Sequence, residues 1–246
     1  ADEAGLVALR MDGVSLGKQV DDVSLELRFG EVLCLYGKVG SGTAQVAEMC
    51  FGLTPMEGGT MSLHGWDHAP SSPTEAIAKG VGYVPPDRKR EGVFLVRPVA
   101  ENLAIASWRK IGFARILVTA RRQLAAFNRW RETLNISSVK PDVQSIGNLS
   151  GGNQQKVVLG RWLERESNVL VLVEPTRGVD VGARQEIYSN IRNLAKNGKA
   201  VLVVTSDYEE AVQVSDRTLV MNRGHIASEF LGDEVTTQSL IEASGG

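Results

Sequence analysis

The sequence is short of cysteine, of long apolar runs and of net charge, and each shortage excludes something. It has two cysteines in 246 residues. Cys34 sits in an apolar run and Cys50 in a helix-like stretch, which suits buried free thiols in a reducing compartment and excludes a disulfide scaffold. No stretch approaches the ~20 apolar residues that span a bilayer, and no secretory signal opens the chain. The formal net charge is −2, whereas nucleic-acid-binding domains are usually basic, so no nucleic acid is expected as a partner. His64, His68 and His225 are scattered, with no partner at metal-ligand spacing. The first residue is alanine rather than methionine, and the chain is expected to be a fragment of a longer one.

What is present is an ordinary globular balance, 43% hydrophobic and 23% charged, in a length that suits one large domain or one domain with a substantial subdomain. Leu6–Met11, Val23–Phe29 and Glu31–Tyr36 carry strand-like patterning between turn residues and predict an antiparallel edge sheet. Gly58-Gly59 with Thr60–His64 predicts another hairpin. A short helix is expected over 74–80 and a strand over Val81–Val84, ended by Pro85-Pro86. Asp87–Gly92 reads as a charged loop. From Val99 to about Asn135 the pattern is helical and rich in Ala, Leu and Arg, which places it in a separate helical subdomain. Within it, Arg121, Arg122, Arg129, Trp130 and Arg131 read as the wet face of a helix. Val169–Val173 and Ala200–Val204 are continuous apolar runs of the kind buried on both faces of a parallel sheet. A helix over Ala183–Lys196, stopped by Gly198, joins them into a βαβ unit. Arg217–Met221 and His225–Phe230 predict a late hairpin. The class is α/β with an antiparallel β portion and a helical insert.

Three stretches carry chemistry. Gly37-Lys38-Val39-Gly40-Ser41-Gly42-Thr43 follows a strand and precedes a helix, the frame of a P-loop. Gly37, Gly40 and Gly42 let the backbone wrap a phosphate with its N–H groups. Thr43 stands in the place of the usual lysine, however, and Ala44 in that of the magnesium-binding hydroxyl. A charged hydrogen bond contributes about 1.5–3 kcal/mol, so the missing lysine alone weakens nucleotide binding by about one to two orders of magnitude. Lys38 lies in the loop but at the wrong position to replace it. The second stretch is Glu174-Pro175-Thr176-Arg177-Gly178-Val179-Asp180, at the end of the run Val169–Val173. Glu174 then sits at the C-terminal edge of a parallel strand, where ligands of open α/β sheets collect. In P-loop ATPases the preceding position delivers an aspartate to magnesium. Here it is Val173, which offers no oxygen to a hard cation. The third is Leu149-Ser150-Gly151-Gly152-Asn153-Gln154-Gln155-Lys156. Ser150 is a candidate N-cap, the two glycines leave room for close approach of another molecule, and a helix start favours an anion.

The third and second stretches together, the latter continuing to Val181-Gly182, resemble an ABC-transporter ATPase. More narrowly they are similar to the C-terminal nucleotide-binding half of the fused ATPases that power ribose- and galactose-type sugar importers. Tyr83–Gly92 and Val99–Leu103 match that subfamily's middle segment. The resemblance implies a P-loop NTPase core with an antiparallel β subdomain and a helical subdomain of about residues 87–160, with residues 1–246 forming one nucleotide-binding domain. It implies head-to-tail pairing with another ATPase half, with ATP sandwiched between the P-loop of one and the signature of the other. Ser150, Gly151, Gly152 and Gln154 would then face ATP held by the partner half. Asp180 would lie in the interface loop and Glu174 at the general-base position. The stretch from Pro86 to Val99, with Arg88-Lys89-Arg90 otherwise a solvated charge run, would face transmembrane permease subunits. A periplasmic sugar-binding protein would be an indirect partner, and the location would be the cytoplasmic face of the membrane.

Departures from the family pattern are as informative. Besides Thr43, Ala44 and Val173, Pro86 stands where the family has a glutamine, or in this subfamily often a glutamate, Ser206 stands where a histidine is usual, and no aromatic residue occurs over Val14–Val20 to stack on adenine. The combined expectation is weak ATP binding at this chain's own P-loop, no metal site, an idle Glu174, and little or no ATP turnover by the isolated domain. The alternative is a non-hydrolytic nucleotide-binding or scaffolding module.

Overall fold

The computed structural model describes residues 5–111 and 118–245. Along the chain run strands β1 (Val7–Leu16), β2 (Val20–Arg28) and β3 (Val32–Tyr36), helix α1 (Thr43–Cys50), strand β4 (Gly58–Leu63), helix α2 (Pro73–Ala78) and strand β5 (Val81–Val84). Helices α3 (Val99–Ala104), α4 (Trp108–Ile111), α5 (Ala120–Arg131) and α6 (Gly151–Glu164) follow. Then come β6 (Val169–Val173), α7 (Val181–Lys196), β7 (Ala200–Thr205), α8 (Tyr208–Val214), β8 (Arg217–Asn222), β9 (His225–Leu231) and α9 (Thr237–Ala243). They form two compact units: residues 1–83, 168–174 and 188–246 in one, residues 84–167 and 175–187 in the other.

The first unit is built on a six-stranded sheet in the order β5-β6-β7-β3-β8-β9. β6, β7, β3 and β8 pair in parallel, and β9 returns antiparallel to β8. Every residue of β3, β6 and β7 is buried, which is why these strands read as unbroken apolar runs. The βαβ expectation holds: Val169 lies opposite Ala200 and Val173 opposite Val204, and Gly198 leaves α7 with φ +83°. Cys34 and Cys50 are buried and free. Burial pushes the Cys34 thiol well up and that of Cys50 to about 12, so neither is reactive.

A three-stranded antiparallel sheet, β2-β1-β4, completes this unit and corrects two expectations. Glu31–Tyr36 does not extend the antiparallel edge; β3 lies between β7 and β8 in the parallel sheet. Its five consecutive buried residues, against the alternating burial of β2, carry that distinction. Gly58–Leu63 is not a separate hairpin either. β4 pairs back onto β1, with Met61 opposite Met11 in the apolar face. Helices start at recognisable caps: Ser72 ahead of Pro73, Asp207 and Thr236.

The second unit is helical around α3, α5 and α6, with Leu103, Phe127, Leu134, Ile146 and Leu159 in its core. Residues 112–117 of the expected helical stretch lie outside the described residues. The wet face expected for α5 holds for its arginines, including Arg129 and Arg131, while Trp130 is half-buried. Arg129, though exposed, reaches with Trp130 toward the buried carboxylate of Glu164 on α6, with Trp130 Nε1 at 2.8 Å. A buried acid needs such partners. Asp87–Gly92 is not an open loop. Arg88–Gly92 forms one wide helical turn, started by the Asp87 carboxylate, which accepts the N–H groups of Lys89 and Arg90. Among the described residues no helix is long and apolar enough to cross a membrane.

Candidate functional site

In the first unit, β3 runs directly into the glycine loop 37–42, and α1 leaves it. The loop packs tightly, against its own residues and against the segments around Gln19 and Met221. A Cβ on Gly37 would lie 2.3 Å from Ser41 Oγ, 2.8 Å from the Met221 carbonyl and 2.9 Å from Thr43 Cγ2. On Gly42 it would lie 2.1 Å from the Gln19 carbonyl. Gly40 and Gly42 have φ of +86° and +101°, which only glycine adopts without strain. The Ser41 hydroxyl donates to Thr43 Oγ1 at 3.4 Å, and both side chains are buried. Thr43 therefore turns inward, against Gly37, and carries no charge. Lys38, the loop's cation, is exposed. Neither Ala44 nor the buried Val173 offers a side-chain oxygen.

Glu174 follows β6 with φ +48°, an uncommon conformation for a residue with a Cβ. Its N–H donates to the Val204 carbonyl at 2.8 Å. One carboxylate oxygen accepts both the N–H and the hydroxyl of Ser206, each at 2.8 Å. The other accepts the Thr205 hydroxyl at 3.3 Å. The end of β7 thus ties the carboxylate down. The sequence marked Ser206 only as a departure; its grip on Glu174 needed the β6–β7 register to become visible.

An open cleft of about 450 Å³ in this unit is lined by Asp12, Glu26, Arg217 and Glu229 among others. It lies away from the glycine loop: Arg217 opens β8 opposite Leu33, whereas the loop follows Tyr36 at the far end of β3. Arg217 is already engaged by Glu31, Glu229 and the Glu26 carbonyl. The cleft is a salt-bridged seam at the wrong end of the parallel strands for a ligand of such a sheet.

In the second unit, α6 starts as its sequence predicts. Ser150 accepts from the Asn153 N–H at 3.4 Å and from the Asn153 side-chain amide at 3.1 Å. Ser150 is exposed, and Gly151 and Asn153 are partly so. Gln154, expected beside them as a ligand-facing residue, is buried at 2% exposure and donates to the Ile146 and Leu149 carbonyls. It supports the preceding turn from below. Lys156 is buried as well, held by the Asn135 carbonyl and Glu186.

The glycines serve packing within this unit. A Cβ on Gly151 would lie 2.4 Å from Arg88 Nη2 and 2.8 Å from the Gly178 carbonyl, and one on Gly152 would lie 2.7 Å from Ala183 Cβ. Asp180 caps the first turn of α7, with its carboxylate 3.0 Å from the Ala183 N–H. Arg88 was grouped with the solvated charge run. It is 6% exposed, and its guanidinium donates to the carbonyls of Arg177 at 2.5 Å and Gly178 at 2.9 Å. Burial pulls its pKa below the usual arginine range, with Asp87 opposing. Among the described residues no group of three or more His, Cys, Asp and Glu could hold a metal ion.

Comparison with known proteins joins these features. Residues 20–177 match the family model for ABC transporters. The chain is 41% identical over 239 residues to the arabinose import ATP-binding protein AraG 2 of Burkholderia ambifaria, covering 97% of this chain and 46% of the relative. It is 39% identical over 244 residues to the ribose import ATP-binding protein RbsA 3 of Rhizobium meliloti, covering 98% and 47%. The chain thus spans about half the length of the curated relatives it matches. Among solved structures it is similar to the ATP-binding cassette MJ1267, with a TM-score of 0.82 at 22% identity over 98% of this chain and all of that one. The dimeric post-hydrolysis cassette MJ0796 follows with a TM-score of 0.74 at 18% identity, over 91% of this chain and 98% of that one. With a family model covering residues 20–177 and the cassette fold throughout, the chain belongs to the ABC transporter family.

Proposed function

We propose that this chain is an ATP-binding cassette domain of a simple-sugar importer, the C-terminal one of a fused pair, and that it works asymmetrically. It presents Ser150–Gly152 to ATP held by the P-loop of a partner cassette, while its own P-loop binds nucleotide weakly and turns over little or none. The sugar class rests on the relatives, named as arabinose and ribose import ATP-binding proteins. Pairing with a second cassette is supported by the fold shared with a cassette solved as a dimer bound to ADP and Pi.

The asymmetry rests on one observation. The P-loop holds an uncharged, inward-turned Thr43 where a cation belongs, whereas the α6 start keeps its cap and its exposed edge. Magnesium does not fit the first unit, since Ala44 and Val173 supply no ligand oxygen. Glu174, held by Ser206 and Thr205, is not poised to activate water. The fixed N–H groups at Ser150–Gly152 would stabilise charge on a phosphoryl group carried by the partner.

The surface toward the permease is the tip at Phe94, Leu95 and Val96, which are 54%, 40% and 84% exposed. Such a patch marks a docking site. Asn102 pins it from behind, accepting from the Phe94 N–H and donating to the carbonyls of Phe94, Arg97 and Pro98. A periplasmic sugar-binding protein would act through the permease.

Replacing the P-loop lysine of the partner cassette in the complete protein tests the asymmetry. ATP hydrolysis is expected to fall to background, because this chain supplies no second competent loop. Residual turnover above about a tenth of the wild-type rate would overturn the reading, since the lysine's loss is worth about that factor or more.

A further inference from the structure

The Arg88-Lys89-Arg90 run places a guanidinium where a sequence gives no reason to expect one. Lys89 and Arg90 are exposed, while Arg88 is buried. A buried guanidinium has to be held by geometry that satisfies its fork of donors. Here Nη1 and Nη2 take the carbonyls of two successive residues, Arg177 and Gly178, and Nε is buried without a partner. Nη2 also lies 2.4 Å from where a Cβ on Gly151 would stand, so the guanidinium passes directly against the bare Cα of the α6 start. Gly178, at φ +67°, presents its carbonyl to the same spot, 2.8 Å from that Cβ position. Three chain segments distant in sequence thus meet on one side chain.

The turn that carries Arg88 is fixed at its other end by a second buried guanidinium. Arg161 of α6 donates to the Gly92 carbonyl at 2.7 Å and to the Asn102 carbonyl at 2.8 Å. Its Nη2 is buried without a partner, and burial lowers its pKa to about 10. Arg161 therefore ties the turn to the body of α6, and Arg88 ties the turn to the start of α6 and to the loop that ends in Asp180.

We infer that Arg88 is a positioning residue that locks the start of α6 and the Arg177–Gly178 loop into one body. Ser150–Gly152 and Asp180, the features assigned above to the partner cassette, then move together and not as separate loops. This inference rests on the proposed pairing for its consequence in catalysis but not for the lock itself. Arginine is required because its planar fork reaches both carbonyls at once, whereas lysine offers one point charge.

The test uses the complete protein with Arg88→Ala, Arg88→Lys and, as a surface control, Arg121→Ala on the exposed side of α5. Hydrogen exchange of the 149–153 and 176–180 amides is expected to speed up together in Arg88→Ala by about tenfold, the loss of one net hydrogen bond, while the 157–163 amides stay unchanged. In the transporter, kcat for ATP should fall by about tenfold with KM within about twofold, the pattern of a lost transition-state interaction. Arg88→Lys should recover part of both effects, and Arg121→Ala should show neither. If Arg88→Ala fails to fold, Arg88→Lys is read by the same two measurements. Unchanged exchange in the two segments, or a speed-up in only one of them, would overturn the lock, and faster exchange with unaltered kcat would overturn its role in catalysis. A wild-type transporter without ATP turnover would instead remove the proposed function and leave the exchange result to decide the lock.

Discussion

The starts of α1 and α6 are both glycine-rich turns that feed a helix, one in each compact unit, and they spend their glycines differently. At α1 the missing Cβ atoms let the loop close partly on itself and partly on neighbouring strands and turns: Gly37 faces Ser41, Thr43 and the Met221 carbonyl, and Gly42 faces the Gln19 carbonyl. No side chain caps the helix, and its first turn carries no charge. At α6 the missing Cβ atoms admit other segments, with Arg88 and Gly178 against Gly151 and Ala183 against Gly152. Ser150 caps the helix, and buried Gln154 and Lys156 brace it from beneath. On the proposed reading, the first turn keeps the backbone of a phosphate loop without its charged side chain. The other has buried support behind an exposed edge, the kind of support by which the proposed functional surface would be held to geometry.

The largest test of this contrast is Ser150→Arg in the complete protein. The side chain is exposed, so the fold should survive, losing about 1 kcal/mol with the cap. ATP turnover coupled to transport should drop by about two orders of magnitude or more, the scale of losing a preorganised donor at a transferring group. Thermal melting and an ATPase assay separate the two effects. Turnover within about twofold of wild type would mean that the α6 start does not face a phosphoryl group, since a cap loss alone costs only about 1 kcal/mol.

Thr43→Lys attacks the other side of the contrast. If the P-loop is weak for want of a cation, restoring one should tighten ATP binding by about ten- to a hundredfold in calorimetry. Magnesium should add little, because Ala44 and Val173 still lack oxygens. An unchanged affinity would show that the closed geometry around Gly37 and Gly42, not the missing charge, limits the loop.

How much of this was readable in advance follows from what each feature depends on. The parallel strands were legible because full burial writes itself as unbroken runs such as Val169–Val173. Ser150 as a cap was legible because capping is local. The partner of β4 was not, because register between strands distant in sequence leaves no local trace. For Gly151 and Gly152 the sequence offered clearance for another molecule, and the structure adds a packing reason within this chain. Their clearance serves Arg88, Gly178 and Ala183, and nothing around residue 151 names a partner at 88 or 178. Arg88 itself was hidden by its neighbours, since two exposed cations beside it made the run look solvated. Gln154 sat in the right motif on the buried side of the helix, a distinction that the spacing of a short turn does not carry.

Ser206→Ala gives a smaller effect and sharpens the reading of Glu174. The hydroxyl is one of the donors that hold the carboxylate, and the backbone N–H of Ser206 remains. Stability should fall by about 1–2 kcal/mol, the range for a hydrogen bond to a charged acceptor that is partly compensated by water. Hydrolysis should not appear, because the loop still lacks its cation. Denaturant unfolding and an ATPase assay read the two outcomes, and a gain of turnover would mean that the Ser206 grip alone keeps Glu174 idle.

The smallest effect is expected at Lys38, and it bears on whether the loop has found a substitute for the missing charge. Lys38 is the cation within the loop, and Val39 beside it is 95% exposed, so this segment faces solvent. The Lys38 carbonyl accepts the Ser41 N–H at 2.9 Å, which turns the chain so that the Lys38 side chain leaves on the outside, while Ser41 and Thr43 fill the inside. A flexible ammonium in water interacts with a nearby anion by about 0–1 kcal/mol, screened further by salt. Lys38→Ala should therefore change ATP affinity by less than about threefold, and Thr43→Lys should tighten binding equally in both backgrounds, because additivity holds when two side chains do not share a ligand atom. A tenfold loss in Lys38→Ala, or a failure of the two changes to add, would mean that Lys38 swings inward onto the nucleotide, and the P-loop would then be a rearranged site and not a weakened one.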